Sequence, residues 1–148
     1  MFTLTNEVGA RLVTVSLQRG DLLLEGIQEA IQKTGIRDAV AVSCIGTLSS
    51  MTWHRVTTLD AKPKEEYPRV EGPLELCALQ GSVVAGSPHF HLICSDSRGT
   101  YAGHLEPGCE VLYLAEVVLL ELAGTPLKRV KDENGLNVLA VNKEEEET

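Results

Sequence analysis

The sequence has few aromatic residues and no long uninterrupted apolar segment. Phe, Trp and Tyr make up 4% of the 148 residues, so we expect a mainly aliphatic core. The most apolar stretch, residues 111–122, contains Glu116 and Glu121 and is shorter than the ~20 residues that a membrane-spanning helix needs. Residues 1–13 lack the basic and continuously apolar regions of a secretory signal. We therefore expect a cytoplasmic protein without a membrane span.

Closely spaced cysteines are also missing. The four cysteines, Cys44, Cys77, Cys94 and Cys109, form no Cys-x-x-Cys pair and lie in or beside apolar segments. We expect buried, reduced thiols.

The sequence carries none of the motifs of three large enzyme classes. It has no G-x-S-x-G elbow, no G-x-x-x-x-G-K-[ST] loop and no G-x-G-x-x-G fingerprint. These absences disfavour serine hydrolases, P-loop nucleotide hydrolases and dinucleotide-binding enzymes.

Positive charge is scarce, with 13 Lys and Arg against 21 Asp and Glu and a formal net charge of -8. The only basic cluster, Lys128-Arg129-Val130-Lys131, stands next to acidic residues and has no interleaved aromatic residues that could stack on bases. We interpret this cluster as a solvated strand edge, and we expect the chain not to bind DNA.

Runs of β-branched and apolar residues, separated by glycine, proline and acidic turn residues, predict strands along most of the chain. The predicted strands are residues 11–17, 39–45, 49–56, 74–84, 88–94, 100–105, 109–122, 127–130 and 136–141. Gly46 is expected to join two of them. Residues 109–122 could also line a helix face, but their β-branched residues favour a bent strand. Residues 57–72 are expected to form an exposed loop.

One segment predicts a helix. Leu24, Ile27 and Ile31 recur at helical spacing, Asp21 is placed to cap the first turn, and Gly35 suits the residue after the last turn. The predicted fold class is α+β, a mostly antiparallel or barrel-like sheet with one main helix. We expect one domain over residues 1–142, followed by an acidic disordered tail at residues 143–148.

Three histidines are predicted to share one sheet face. His89 and His91 point the same way because side chains alternate along a strand. His104 belongs to the next predicted strand. Three neutral imidazoles on one face suit Zn²⁺ and leave a fourth position for water or a ligand.

The register of these two strands depends on the loop between them. A two-residue loop at residues 97–98 places His91 directly opposite His104, with Cβ atoms ~5 Å apart. A three-residue loop ending at Gly99 shifts the register and places Leu105 there instead. Both possibilities remain open from the sequence.

An ordered set of motifs resembles the plants-and-prokaryotes conserved (PPC, or PCC) domain over roughly residues 5–141. The motifs are Ser43-Cys44-Ile45-Gly46-Thr47-Leu48-Ser49, Gly72-Pro73-Leu74-Glu75-Leu76, Gly86-Ser87-Pro88-His89-Phe90-His91, Gly103-His104-Leu105 and Ala115-Glu116-Val117. The resemblance implies a central antiparallel sheet with a helix, assembled as a homotrimer. Plant members join this domain to basic AT-hooks, and no such segment occurs here.

The family also looks like a distant structural relative of α-acetolactate decarboxylase, a zinc enzyme whose ligands likewise form a His-x-His pair followed by a later His. That likeness supports a metal, but it does not carry over an acid or a base. Glu75 is a weak candidate for a catalytic base, and an outward-facing carboxylate is its simpler interpretation. Glu116 is treated in the same way, and a surface or interface role is expected for His54.

Three functions are therefore compatible with the sequence. The first is a metal-binding trimer that recognises a small molecule or a partner protein. The second is a zinc-dependent lyase or hydrolase that uses a metal-bound water. The third is a DNA-associated protein by analogy with the family.

Overall fold

The computed structural model describes the backbone of residues 7–143 and the side chains of residues 11–143. Nine strands and one helix are found there. Their bounds are β1 (Glu7–Gln18), α1 (Leu23–Thr34), β2 (Ala39–Val56), β3 (Glu65–Glu66), β4 (Arg69–Val84), β5 (Ser87–Asp96), β6 (Gly99–Leu105), β7 (Val111–Ala123), β8 (Leu127–Lys131) and β9 (Asn137–Val141). Of the predicted acidic tail, residues 144–148 lie outside the described residues.

The strands form a mostly antiparallel sheet in one domain, which confirms the predicted fold class. The order is β1-β7-β2-β4-β5-β6, β3 adds to β2, and β6 also pairs with the far end of β2. The sheet is not a closed barrel. The ambiguous segment before residue 123 is a strand, as predicted. No helix in the described part of the chain is long and apolar enough to cross a membrane.

Helix α1 covers one face of the sheet. Leu24, Ile27 and Ile31 are buried, and Gly35 ends the helix in the left-handed conformation with φ 66°. The prediction that Asp21 caps the helix is wrong. The N-cap residue is Leu22, and the carboxylate of Asp21 instead accepts a hydrogen bond from the backbone N–H of Gln18 at 2.7 Å.

The two strands predicted on either side of Gly46 are one continuous strand, β2, so the predicted junction is wrong. Gly46 pairs with both Leu76 and Ala115. A Cβ atom at position 46 would lie 2.7 Å from the Cα of Ala115. Glycine is therefore required there for close packing against β7, not for a turn.

The predicted loop at residues 57–72 is shorter than expected, because it contains β3 and the start of β4. The β3 residue Glu66 forms an ion pair with Arg55 of β2. The backbone N–H of Thr57 donates to the carbonyl of Lys64 at 2.8 Å. These non-local contacts return the chain to β2, and composition alone could not indicate them.

The core is mainly aliphatic, as predicted, with Phe90 among its largest fully buried side chains. Three of the four cysteines are buried as expected. Cys77 is the exception, because it lies on the exposed face of β4.

Strands β8 and β9 form a separate two-stranded hairpin. Asp38 anchors it: the Oδ2 atom of this buried carboxylate accepts a hydrogen bond from the backbone N–H of Leu127 at 3.2 Å. The predicted description of residues 128–131 as a solvated edge is wrong for Arg129, whose Nε atom is buried. The hairpin packs near the end of the sheet that carries the histidines.

Candidate metal centre

The turn between β5 and β6 sets the register of the predicted ligands. Asp96 pairs with Gly99 and His91 pairs with His104, as the two-residue loop predicted. The Oδ1 atom of Asp96 accepts hydrogen bonds from the backbone N–H groups of Arg98 at 2.8 Å and Gly99 at 3.1 Å. This side-chain-to-backbone bonding stabilises the tight turn and disfavours the three-residue alternative.

All four histidines of the chain line one cavity of about 490 Å³. The ring centroids of His89 and His104 lie 4.8 Å apart. His91 lies 5.6 Å from each of them. The structure thus brings the three predicted ligands together and adds a fourth histidine, His54.

His54 reaches the cavity because β2 pairs with β6, where His54 lies opposite His104. The two imidazole rings stack with centroids 4.2 Å apart. The neighbouring Gly103 permits this approach, since a Cβ atom there would lie 2.5 Å from both the carbonyl oxygen of His54 and the Cδ1 atom of Trp53. The predicted surface or interface role of His54 did not anticipate this position.

Glu106 connects the stacked pair. Its Oε1 atom lies 2.6 Å from the Nδ1 atom of His54 and 3.1 Å from that of His104. One donor atom from each of these three residues lies within 4.8 Å of the other two, so this is a compact candidate metal site. The cavity therefore offers two overlapping donor sets that share His104.

Geometry distinguishes the two sets. Three imidazoles bound tetrahedrally through one nitrogen each, with Zn–N distances of ~2 Å, have ring centroids about 5 Å apart. The ring centroids of His89, His91 and His104 are close to this spacing, although within residues 11–143 only the set of His54, His104 and Glu106 has donor atoms all within 4.8 Å of one another. His54 and His104 are instead packed face to face, and the Nε2 atom of His54 faces Glu65 at 3.8 Å. His54 thus lies between the carboxylates of Glu65 and Glu106. This position is consistent with a residue that packs against the ligand His104 and does not itself bind the metal.

Burial keeps two of the predicted ligands in the metal-binding form. It lowers the pKa of His89 to about 4, with further lowering by Arg129 and by the other histidines. The pKa of His104 is also lowered, first by burial and then by His54. Both imidazoles are therefore neutral near pH 7, and neutral imidazole is the form that binds metals.

The other candidate residues lie away from the cavity. Glu75 is exposed on β4 and pairs with Ser95 of β5, four residues along that strand from His91. Four residues of strand span about 13 Å. Glu116 is exposed on β7 and pairs with Ile45. The structure does not bring either carboxylate to the histidines.

Four residues of this region were missed by the sequence analysis: His54, Glu65, Glu106 and Arg129. A signal existed for Glu106, because it follows His104 by two residues and so lies on the same side of the chain. His54 reaches the cavity through the β2–β6 pairing, Glu65 through the β2–β3 pairing, and Arg129 through the position of the β8–β9 hairpin beside the cavity. The sequence offered no local signal for these contacts.

Comparison with solved structures gives close matches over nearly the whole chain. A metal-containing protein from Archaeoglobus fulgidus is 28% identical with a TM-score of 0.79, covering 95% of this chain and 99% of that one. A plant- and prokaryote-conserved (PPC) protein from Pyrococcus horikoshii is 28% identical with a TM-score of 0.79, covering 95% and 97%. A Bacteroides thetaiotaomicron protein named provisionally as DNA-binding is 16% identical with a TM-score of 0.78, covering 94% and 98%, and this likeness shows the fold alone.

Curated relatives match a shorter region. The bifunctional protein GlmU of Synechococcus sp. (strain JA-3-3Ab) is 31% identical over 112 residues, which cover 75% of this chain but 17% of that protein. The matched region is thus a small part of the relative's length. The model of the Plants and Prokaryotes Conserved (PCC) domain matches residues 5–123. The chain therefore belongs to the PCC domain family.

Proposed function

We propose that the chain binds one zinc ion through His89, His91 and His104 and recognises a small molecule in the surrounding cavity. The observation that carries the proposal is the convergence of all four histidines on that cavity. The similarity to a metal-containing protein over 95% of this chain supports the proposal.

The donor set fits zinc. Three imidazole nitrogens leave one coordination position for a ligand, as in open zinc sites. Glu106 accepts the Nδ1–H of His104, which leaves the Nε2 atom of that ring to the metal. A carboxylate in this position orients a metal-binding histidine and raises its basicity. Bound zinc would act as a Lewis acid toward an oxygen of the small molecule.

Elemental analysis of single-residue variants tests this assignment. Protein purified without a histidine tag should contain about one zinc per chain, and His91→Ala should abolish zinc binding because two imidazoles remain. His54→Ala is the matched control, since it removes an imidazole from the same cavity without removing a proposed ligand. Glu106→Gln should weaken zinc binding by ~10–100-fold.

Two results would contradict the assignment. If His54→Ala loses zinc and His91→Ala retains it, the metal is held by the compact set of His54, His104 and Glu106. Metal-free wild-type protein that also fails to take up added zinc would refute the metal centre altogether.

A second candidate function is a zinc-dependent lyase or hydrolase, in which a water activated by the metal reacts with the bound molecule. The observation that favours it is Glu65, a carboxylate that lines the cavity. Glu65→Gln should then abolish turnover while zinc content stays unchanged. Turnover that survives this substitution would exclude Glu65 as the acid or base.

We further propose that the chain is a homotrimer. Support comes from apolar side chains on the sheet face opposite α1, where Leu12 and Ile45 are 64% and 55% exposed. Strand β1 is also at the edge of the sheet, and open edges favour association. Light scattering should give about three times the 16.0 kDa of one chain. A monomer throughout the micromolar range would contradict the trimer.

A further inference from the structure

The β8–β9 hairpin forms one wall of the histidine cavity. Arg129 of β8 and the residues 135–137 that lead into β9 line this cavity together with His89 and His91. The hairpin begins at residue 127, beyond the end of the family match at residue 123. This wall is therefore additional to the segment that the family model describes.

Arg129 brings an incompletely paired cation to the cavity. Its Nη2 atom has a long hydrogen bond of 3.4 Å to the hydroxyl of Ser82. Its buried Nε atom has no hydrogen-bond partner. Within residues 11–143, no carboxylate is close enough to form an ion pair with this guanidinium. A buried donor without an acceptor is unfavourable, so an acceptor from a ligand would stabilise this arrangement.

Charge is distributed unevenly around the cavity. Glu65 and Glu106 lie beside His54. Arg129 lies instead near His89, since its Nη2 atom contacts Ser82, the β4 residue that pairs with His89 of β5. The side of the cavity near Arg129 therefore favours a negatively charged group, and a divalent metal on the histidines would strengthen this preference.

We infer that the cavity binds a small organic oxyanion whose carboxylate or phosphate group pairs with the guanidinium of Arg129. This inference rests on the proposed metal centre, because a second oxygen of the same ligand would occupy the free position on the metal. The planar guanidinium suits either oxyanion, since it can donate two parallel hydrogen bonds. A cavity of about 490 Å³ is in the size range of small-molecule sites.

Calorimetric titration of zinc-loaded protein with lactate and with its uncharged amide, lactamide, tests the inference. Lactate should bind the wild type at least ~10-fold more tightly, since a hydrogen-bonded charge pair contributes that much or more. Arg129→Met should remove this preference, and Arg129→Gln serves as a second variant if the first folds poorly. Lys128→Met is the matched control, because it removes one positive charge from the opposite face of β8. It should leave the preference intact.

Competition with inorganic phosphate distinguishes a site for carboxylates from a site that also accepts phosphates. Phosphate that displaces lactate supports a general oxyanion site, and lactate that phosphate does not displace supports a site selective for carboxylates. An equal loss of preference in the Lys128 and Arg129 variants would overturn the inference, as would a wild type that binds lactamide as well as lactate.

Zinc content measured on the same samples distinguishes a failure of the proposed zinc centre from a failure of oxyanion binding by Arg129. A wild type that fails to take up added zinc refutes the metal centre, whereas a zinc-loaded wild type without preference for lactate refutes only the role of Arg129. The Arg129 variants should retain about one zinc per chain, because their substitution leaves all proposed ligands in place.

Discussion

Replacing Asp38 by alanine should destabilise the fold and loosen the hairpin wall of the histidine cavity. Asp38 is 7% exposed. Its Oδ1 atom accepts the backbone N–H of Ala85 at 2.8 Å, and its Oδ2 atom accepts that of Leu127 at 3.2 Å. One carboxylate therefore joins the β4–β5 turn to the first residue of β8.

The size of the effect follows from these two contacts. A hydrogen bond to a charged group contributes about 1.5–3 kcal/mol, and its removal leaves a donor unpaired. Losing both should lower the free energy of unfolding by about 3 kcal/mol or more. For a domain of this size, the expected fall in melting temperature is about 6–12 °C. Asp38→Asn should have a smaller effect, since its amide oxygen can still accept one of the two N–H groups.

Thermal unfolding followed by circular dichroism measures the loss of stability, and amide hydrogen exchange locates it. Protection in Asp38→Ala should fall first at residues 127–131 and less in the central strand β2, because the hairpin is attached through this carboxylate. A melting temperature within 2 °C of the wild type would refute the reasoning. So would exchange that accelerates equally in the hairpin and in β2.

Two further predictions concern charge. Hydrogen bonding to Arg98 lowers the pKa of the Asp96 carboxyl, so the stabilisation it provides is present above the unfolded pKa of ~3.9 and is lost as the pH falls through the lowered folded value. An NMR titration should show this low pKa, and Arg98→Met should raise it toward the ordinary value. An unchanged pKa in the variant would contradict the stated cause. The second prediction is that the chain binds duplex DNA more weakly than ~100 µM at physiological salt, because its net charge is -8. A sub-micromolar constant from fluorescence anisotropy at 150 mM salt would contradict it.

Local sequence features were sufficient where the structure depends on neighbouring residues. The β5–β6 hairpin was predicted, because alternation defined its two faces, but the sequence left two registers open and the structure has the one with the two-residue loop. The helix was predicted from the spacing of Leu24, Ile27 and Ile31 and from Gly35. Its start was misassigned, because the backbone N–H of Leu23 donates to the carbonyl of Cys109 at 2.9 Å. A partner 86 positions along the chain is invisible to rules for local capping.

The same reasoning explains which part of the candidate site was missed. His89, His91 and His104 lie on one hairpin, so alternation and a turn length place them together. His54 and Arg129 arrive from β2 and β8, through the β2–β6 pairing and the contact of the second hairpin with the cavity. Neither the β2–β6 pairing nor the contact of the hairpin with the cavity follows from composition or periodicity.

Gly103 lies where β6, which carries the predicted ligand His104, packs against β2, which carries the unpredicted His54. It lies within the Gly103-His104-Leu105 motif, where sequence reasoning assigned a role only to the histidine. In the structure, a Cβ atom at position 103 would lie 2.5 Å from the carbonyl oxygen of His54. This glycine thus allows β6 to approach β2 closely enough for the two imidazoles to stack and for Glu106 to contact both Nδ1 atoms. Backbone packing at Gly103 therefore determines that His54 and Glu106 are the groups that contact the proposed ligand His104.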